Sequence, residues 1–280
     1  MLLWICTGCG RKNNSPDAAL MQYREYSKNL AKTDLSSISK ALNKYKELFT
    51  TAPLTFRDSA FTEFRNLFYN VINNYSDSFW NNADLMKKVN EKQNDDPVVK
   101  DFKSSLENNG LRLSITEGSY YIDEKPDFLI NNFKIFVSPG VNEFLKIRSH
   151  ELKEGFSEDA VLIITFRELG NRIITWQNYL NKYPASPLLA EAKFSYHLYL
   201  NTFLSGLDNS PIAKDDILLP EIKQVYLEFI SKNKDNESGK IVEKFYDVLS
   251  KNNFRLTEDL DDFYEENQIE SMKDVQPPTR

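Results

Sequence analysis

Apolar residues recur along most of the chain at steps of three and four, the spacing that places them on one face of an α-helix. The first clear case runs from Leu35 to Phe49, after Asp34 as a capping residue, and stops near Pro53. A second stripe, rich in aromatic rings, follows from Phe61 to Phe79. A helix that buries so many rings must pack against a neighbour, so the two segments predict an antiparallel helical hairpin.

The pattern changes in the middle of the chain. Asp96 before Pro97 predicts another helix start, and Gly110 predicts its end. From residue 111 to residue 124 apolar and polar side chains alternate, and Glu117-Gly118 can form a turn. This segment predicts one small β-hairpin or extended insertion in an otherwise all-α chain.

Helical spacing resumes in the second half. We predict helix starts at Ser138, after Ser157 and at Ser186, each near a proline or an apolar stripe, with Gly206 ending the third helix. A further hairpin is predicted between Pro220 and Leu249, with a polar break from residue 231 to residue 239.

The segment from Tyr183 to Ala192, YPASPLLAEA, resembles the junction between the two helices of a tetratricopeptide repeat. In that family one helix ends at tyrosine-proline and a serine-proline cap opens the next. The resemblance covers about one repeat of roughly 34 residues, and the hairpins around Pro53 and Asn236 share only the layout. It implies antiparallel helical hairpins of tetratricopeptide-like type, without a regular solenoid, and a groove that holds a protein or an envelope polymer.

The first ten residues, MLLWICTGCG, are a short apolar stretch followed by polar residues. They resemble the end of a bacterial lipoprotein signal, in which small residues precede a cysteine that is lipidated and becomes the mature N-terminus. The resemblance implies a signal peptide remnant at residues 1–8, lipidation of Cys9 as membrane anchor, and a lipidated tether at residues 9–17. The alternative is a frayed terminus with a chance cysteine pair, or a two-cysteine metal clip at Cys6 and Cys9.

The expected location is the cell envelope. The tether lacks the acidic residues that follow the cysteine in surface-exported lipoproteins of Bacteroidota-like bacteria, which favours an outer membrane location facing the periplasm over the cell surface. Residues 18–256 are expected to form the helical domain, with 18–110 and 127–256 as candidate halves. Residues 257–280 are an acidic tail, expected to be partly disordered, with a short helix from Thr257 to Gln268.

Charge and composition narrow the classes of partner. The formal net charge is -6, and acids and bases are interspersed, so we expect no nucleic acid partner. No glycine-rich phosphate loop or dinucleotide fingerprint occurs, so we expect no nucleotide. Beyond the first residues no apolar run approaches the length that spans a bilayer, which predicts a soluble body.

Few residue types for catalysis are available. The two cysteines are Cys6 and Cys9, and the two histidines are His150 and His197, so we expect no metal site and no cofactor in the body. Enzymatic activity stays open, with a non-catalytic protein favoured and no catalytic residue assigned. Acid pairs such as Glu117 with Glu124 and Glu151 with Glu154 occur, but 41 acids give such pairs by chance, and we expect them to be solvated.

The leading hypothesis is a lipid-anchored scaffold or interaction protein that binds a protein or envelope polymer through aromatic residues of a helical groove. The alternative is a glycan-binding or glycan-cleaving envelope protein centred on Glu117, because a carboxylate beside tyrosine rings suits a sugar. A purely structural envelope protein is a third hypothesis. The candidate ligand-binding residues are Glu117, Tyr120, Tyr121, Trp176, Tyr196 and Tyr199.

Overall fold

The computed structural model of the chain describes residues 15–116, residues 118–267 and residue 269. The predictions for Cys9, for the signal remnant, for most of the tether and for Glu117 lie outside the described residues, as does the end of the acidic tail.

The described residues form a mostly α-helical fold with small antiparallel hairpins, which confirms the predicted fold class. The helices are α1 (Pro16–Asn29), α2 (Ser36–Phe49), α3 (Leu54–Trp80), α4 (Ala83–Asn90), α5 (Pro97–Asn108), α6 (Phe128–Phe133), α7 (Pro139–Glu154), α8 (Phe166–Lys182), α9 (Leu189–Ser205), α10 (Pro220–Asn233), α11 (Glu237–Lys251) and α12 (Asp259–Glu266). The strands are β1 (Leu111–Thr116), β2 (Ser119–Glu124), β3 (Ser157–Glu158), β4 (Val161–Leu162), β5 (Gly206–Leu207), β6 (Ser210–Pro211), β7 (Ala213–Lys214) and β8 (Ile217–Leu218).

The N-terminal helices pack in the predicted way. Helices α2 and α3 form a hairpin, and α1 lies against both. The carboxylate of Asp34 accepts the backbone N–H of Ser36 at 2.9 Å, which satisfies one of the unpaired donors at the start of α2. Helix α5 begins at Pro97 with Asp96 as its cap, and its side-chain oxygen accepts the N–H of Val98 at 2.8 Å.

The predicted insertion is a regular β-hairpin. Strands β1 and β2 pair from Leu111 opposite Glu124 to Thr116 opposite Ser119, with Gly118 in the turn between them. Gly118 has a φ of +76°, a conformation that glycine adopts without steric cost. Strand β1 packs on α5 and β2 packs on α3, which fixes the hairpin against the helical body.

Two more helical hairpins, α8 with α9 and α10 with α11, make up most of the second half. The helix predicted after Ser157 begins later than expected, at Phe166, where Thr165 and Glu168 form a reciprocal capping box. Residues 157–162 form the β3–β4 hairpin instead, because Asp159 and Ala160 both have positive φ and close a tight turn.

The sequence predicted one β insertion, and the structure adds three short hairpins in the junctions between helices. The second and third, β5–β6 and β7–β8, lie between α9 and α10. The junctions contact each other, since the N–H of Leu162 donates to the Ser210 hydroxyl at 2.9 Å and the N–H of Leu218 donates to the carbonyl of Phe254 at 2.9 Å.

One cluster of buried residues runs through both candidate halves of the helical domain, from Ala19 to Ile269. In its N-terminal part the buried Phe133 ring lies 4.8 to 4.9 Å from the rings of Tyr45, Phe61 and Phe64. Division into 18–110 and 127–256 stays a prediction. Among the described residues, no helix combines the length and apolar character that a membrane crossing requires.

Candidate functional site

Three of the predicted aromatic ligand-binding residues lie in the interior. Trp176 on α8 and Tyr196 and Tyr199 on α9 are exposed by only 1, 7 and 6%. Each hydrogen-bonds a polar group of the protein: the indole N–H of Trp176 donates to Glu151 at 2.8 Å, the hydroxyl of Tyr196 lies 3.0 Å from that of Ser238, and the hydroxyl of Tyr199 accepts from Arg172 at 3.2 Å. Their rings therefore contribute to the core and do not face an open groove.

The two remaining tyrosines are separated by the geometry of the strand. Successive side chains of β2 point to opposite faces, so Tyr120 faces the helical body together with Ile122, while Tyr121 points away. Tyr120 and Tyr121 therefore lie on opposite faces of the hairpin, and ligand binding by either stays a prediction. Tyr121 is exposed, and Tyr120 is partly buried against the core.

Tyr120 instead lines an open cleft between the end of α3, helix α4 and the β-hairpin. The cleft has a volume of about 410 Å³, within the range of small-ligand sites. We call it the aromatic cleft; its lining residues are Trp80, Met86, Asn90, Lys92, Ile115, Gly118, Ser119 and Tyr120.

Trp80 is the most exposed ring of the aromatic cleft, and the end of α3 explains why. The neighbouring Phe79 is buried and stacks on Phe102 of α5, with ring centroids 5.1 Å apart and planes at 9°. Since adjacent residues of a helix point in different directions, Trp80 lies off this buried stripe and is 47% exposed. Helix α3 ends at Trp80, and α4, which begins at Ala83, contributes Met86 and Asn90 to the same cleft.

The opposite wall of the aromatic cleft comes from paired strand residues. Ile115 and Tyr120 are direct partners in the register of the hairpin, so their side chains lie side by side on the same face. Ile115 is 53% exposed although it faces the helices, because the tip of the hairpin extends beyond the core. The turn residue Gly118 and the adjoining Ser119 complete this wall.

The polar side chains of the cleft are available to a ligand. Asn90, Lys92 and Ser119 are exposed, and their side chains make no hydrogen bond or ion pair with another residue that the structure describes. Together they offer an amide, an ammonium and a hydroxyl. The aromatic cleft thus combines an exposed indole with unused hydrogen-bonding groups.

A second polar feature is internal and connects distant helices. Arg65 of α3 donates to both carboxylate oxygens of Glu191 on α9, at 2.6 Å each. On the same face of α3, the Tyr69 hydroxyl donates to Glu124 of β2 at 2.8 Å, and Arg148 of α7 donates to that carboxylate at 2.8 and 3.1 Å. These contacts join α3, β2, α7 and α9.

Glu151 of α7 continues this internal network. Besides the bond from Trp176, its carboxyl hydrogen-bonds Tyr199 and lies near Arg172. Burial raises the pKa of Glu151 above its ordinary value, against the opposite effects of Arg172 and the hydrogen bonds. The expectation that the acid pairs are solvated is wrong for Glu124, which is 2% exposed, and for the partly buried Glu151, because both serve as acceptors for interior donors.

The network has the acidic and basic side chains that an acid–base site requires, but its acids do not line the aromatic cleft. Glu151 and Glu124 line none of the aromatic cleft, and each binds side chains of the protein itself. Glu154, the sequence partner of Glu151, is held by Arg172 at 3.0 Å and by the exposed His150 at 3.1 Å. Within residues 15–116, 118–267 and 269, no three metal-binding side chains come together.

Compared with protein-family models, with curated proteins and with solved structures, the chain matches none of them. No ligand, partner or activity is therefore transferred from a relative. The assignment of a function depends on the geometry of the chain itself.

The residue that sequence reasoning missed is Trp80. The signal was present in the pattern, because Phe79 completes the aromatic stripe of α3 while Trp80 lies one position off it, directly before the polar pair Asn81-Asn82. A large ring outside the buried stripe at the end of a helix is the pattern of an exposed aromatic residue. The proximity of Trp80 to Tyr120 could not be predicted, because it depends on how the hairpin packs on α3.

Proposed function

We propose that the protein is a lipid-anchored cell-envelope binding protein, attached through Cys9, which holds a partner at the aromatic cleft. The observation that supports the cleft is the exposed Trp80, which lines an open volume of about 410 Å³ together with Ile115 and Tyr120. Large exposed rings flanked by polar groups are typical anchors of binding surfaces.

The proposal is for binding and not for catalysis. The acids with unusual surroundings, Glu124 and Glu151, are occupied by internal donors, which supports a structural role for them. The cleft residues are aromatic, aliphatic, amide, hydroxyl and ammonium groups, which suit recognition of a partner from the envelope.

The anchor part of the proposal follows from the resemblance of the first ten residues to a lipoprotein signal. A polar tether to residue 17 would hold the helical body away from the bilayer, with the outer membrane facing the periplasm as the proposed location. Metabolic labelling with a fatty-acid analogue tests it: Cys9→Ala should lose the label, whereas the matched variant Cys6→Ala should keep it. Labelling that persists in Cys9→Ala would contradict the anchor.

The binding part is tested by cross-linking in the native membrane. A photoreactive cross-linker that inserts into C–H bonds, and therefore labels protein and glycan alike, should trap a partner with the unmodified protein and much less of it with Trp80→Ala. The control is Ile135→Ala, since Ile135 is 75% exposed and does not line the cleft. Equal trapping by Trp80→Ala and the unmodified protein would contradict binding at the cleft.

A further inference from the structure

We infer that the partner held at the aromatic cleft is a glycan, bound by stacking of a sugar ring on Trp80. This inference rests on the proposed function and names the chemical class of its ligand. It draws on three features of the cleft: the exposed aromatic rings, the unused polar side chains and the sparse charge.

The rings provide one face for a sugar. A pyranose presents C–H bonds along its less polar face, and their partial positive charge is attracted to the negative face of an aromatic ring. Trp80 is 47% exposed and lines the open cleft, so its indole is accessible to such a face. Tyr120 and Ile115 stand on the other side, close together in the strand register.

The polar side chains satisfy the hydroxyl groups. A sugar hydroxyl that leaves water without a new hydrogen bond loses free energy, so a glycan site must supply donors and acceptors. Asn90 and Ser119 can each donate and accept, and Lys92 can donate. All three are exposed, and their side chains are unused by the rest of the described chain.

Other ligand classes fit less well. A nucleic acid or nucleotide requires several cations around its phosphates, and the lining includes one, Lys92, on a chain of net charge -6. An acyl chain or a buried apolar peptide side chain requires an enclosed apolar pocket. Here the cleft is open, and Asn90, Lys92, Gly118 and Ser119 make up half of its lining residues.

Titration calorimetry on the purified full-length protein tests the inference. The probes are the β-1,4-linked tetramer of N-acetylglucosamine, cellotetraose, and glycan strands released from the cell wall of the source bacterium. At least one probe is expected to bind, and Trp80→Ala should weaken that binding by about ten-fold or more because it removes the stacking face. Circular dichroism confirms that the variant is folded.

Tyr121→Ala is the matched control, because Tyr121 is adjacent to Tyr120 but points to the other face of the hairpin. Its affinity should stay within about two-fold of the unmodified protein. Absence of binding by every probe at millimolar concentration, or equal binding by Trp80→Ala, overturns the glycan inference. If a protein is then still cross-linked in a Trp80-dependent way, the proposed binding function stands and only the glycan inference fails. If there is neither glycan binding nor Trp80-dependent cross-linking, the proposed function and the glycan inference both fail.

Discussion

Arg65 and Glu191 form a bidentate ion pair across 126 residues of sequence, with both N···O distances at 2.6 Å. The guanidinium group of Arg65 lies on α3, in the first half of the chain, and the carboxylate of Glu191 lies in the first turn of α9. Arg65 also lies 5.4 Å from the Tyr69 ring centroid and 5.6 Å from that of Phe144. The pair therefore joins α3 to α9, with the Arg65 side chain buried and the Glu191 carboxylate partly exposed, at 6% and 30%.

Removal of the carboxylate should destabilise the protein. In Glu191→Gln, Arg65 stays buried, with only 6% of its side chain exposed, but loses its counter-charge. We expect a loss of about 3 kcal/mol in the free energy of unfolding, the usual cost of an uncompensated buried charge. Urea denaturation followed by circular dichroism measures it.

The matched control is Arg167→Gln. Arg167 and Glu228 also form a two-point pair, at 2.8 and 3.0 Å, but 60% of the Arg167 side chain is exposed. Its loss should cost much less stability than the loss of the Glu191 carboxylate, because water screens and replaces such exposed contacts. Equal losses in the two variants would refute the role assigned to burial.

Two glycines with the same backbone conformation should respond differently to alanine. Gly110 and Gly118 have φ of +77° and +76°, but a Cβ at Gly110 would lie 2.2 Å from the Phe128 ring, whereas one at Gly118 would have no neighbour within 4 Å. Gly118→Ala should therefore cost about 1 kcal/mol from backbone strain alone. Gly110→Ala should cost about 3 kcal/mol, since overpacking is added. Thermal and urea unfolding compare them; similar costs would contradict the packing at Phe128.

The raised pKa of Glu151 predicts a pH dependence of stability. In the folded protein this carboxyl holds its proton at a pH where the unfolded chain, with an ordinary value of 4.5, has released it. The folded state therefore binds more protons, so the contribution of Glu151 to stability falls as the pH rises from about 4.5 through the folded pKa. Unfolding of Glu151→Gln and of the unmodified protein at a series of pH values measures the effect.

The expected result is a difference in favour of Glu151→Gln that grows as the pH rises through this window. The amide keeps an oxygen that accepts the indole N–H of Trp176, so the variant removes the titration with little change in packing. A difference that shrinks with rising pH would mean that Arg172 and the hydrogen bonds outweigh burial.

Two tryptophans should have different roles, Trp176 in stability and Trp80 in binding. Trp176→Phe removes a buried indole and its bond to Glu151, so it should lower the free energy of unfolding by about 2 to 3 kcal/mol while partner capture by the folded protein is unchanged. Trp80→Ala should cost about 1 kcal/mol or less and abolish capture. Denaturation and cross-linking on the same preparations test both expectations. Loss of partner capture in Trp176→Phe would contradict binding at the aromatic cleft and favour a site in the helical groove.

The helices were predictable because their signals are local. The caps at Asp96 and Ser138 and the hydrophobic stripe of α3 mark elements that the structure confirms. The three short hairpins were not predictable in the same way, because turns such as Asp159-Ala160 and Asp215-Asp216 adopt positive φ without the glycine that usually marks them.

The candidate site was predictable only in part. Tyr120 was named from its segment, but strand alternation excludes Tyr121 from the same surface, and this alternation is itself a sequence-level argument. The sequence predicts Trp176 and Tyr199 as binding residues, although both are buried. Helical spacing shows which residues share a face of the helix, but it does not show whether a neighbouring element covers that face. The contact of α3 with β2 decided that Trp80 belongs to the site.

Photo-crosslinking from position 80 tests the central claim most directly. A benzophenone amino acid replaces Trp80 in the full-length protein produced in its source cells, and a second preparation carries it at Ile135, which is more exposed but outside the cleft. The account predicts a defined cross-linked product from position 80 and none from position 135. No product from position 80, or the same product from both positions, would contradict it.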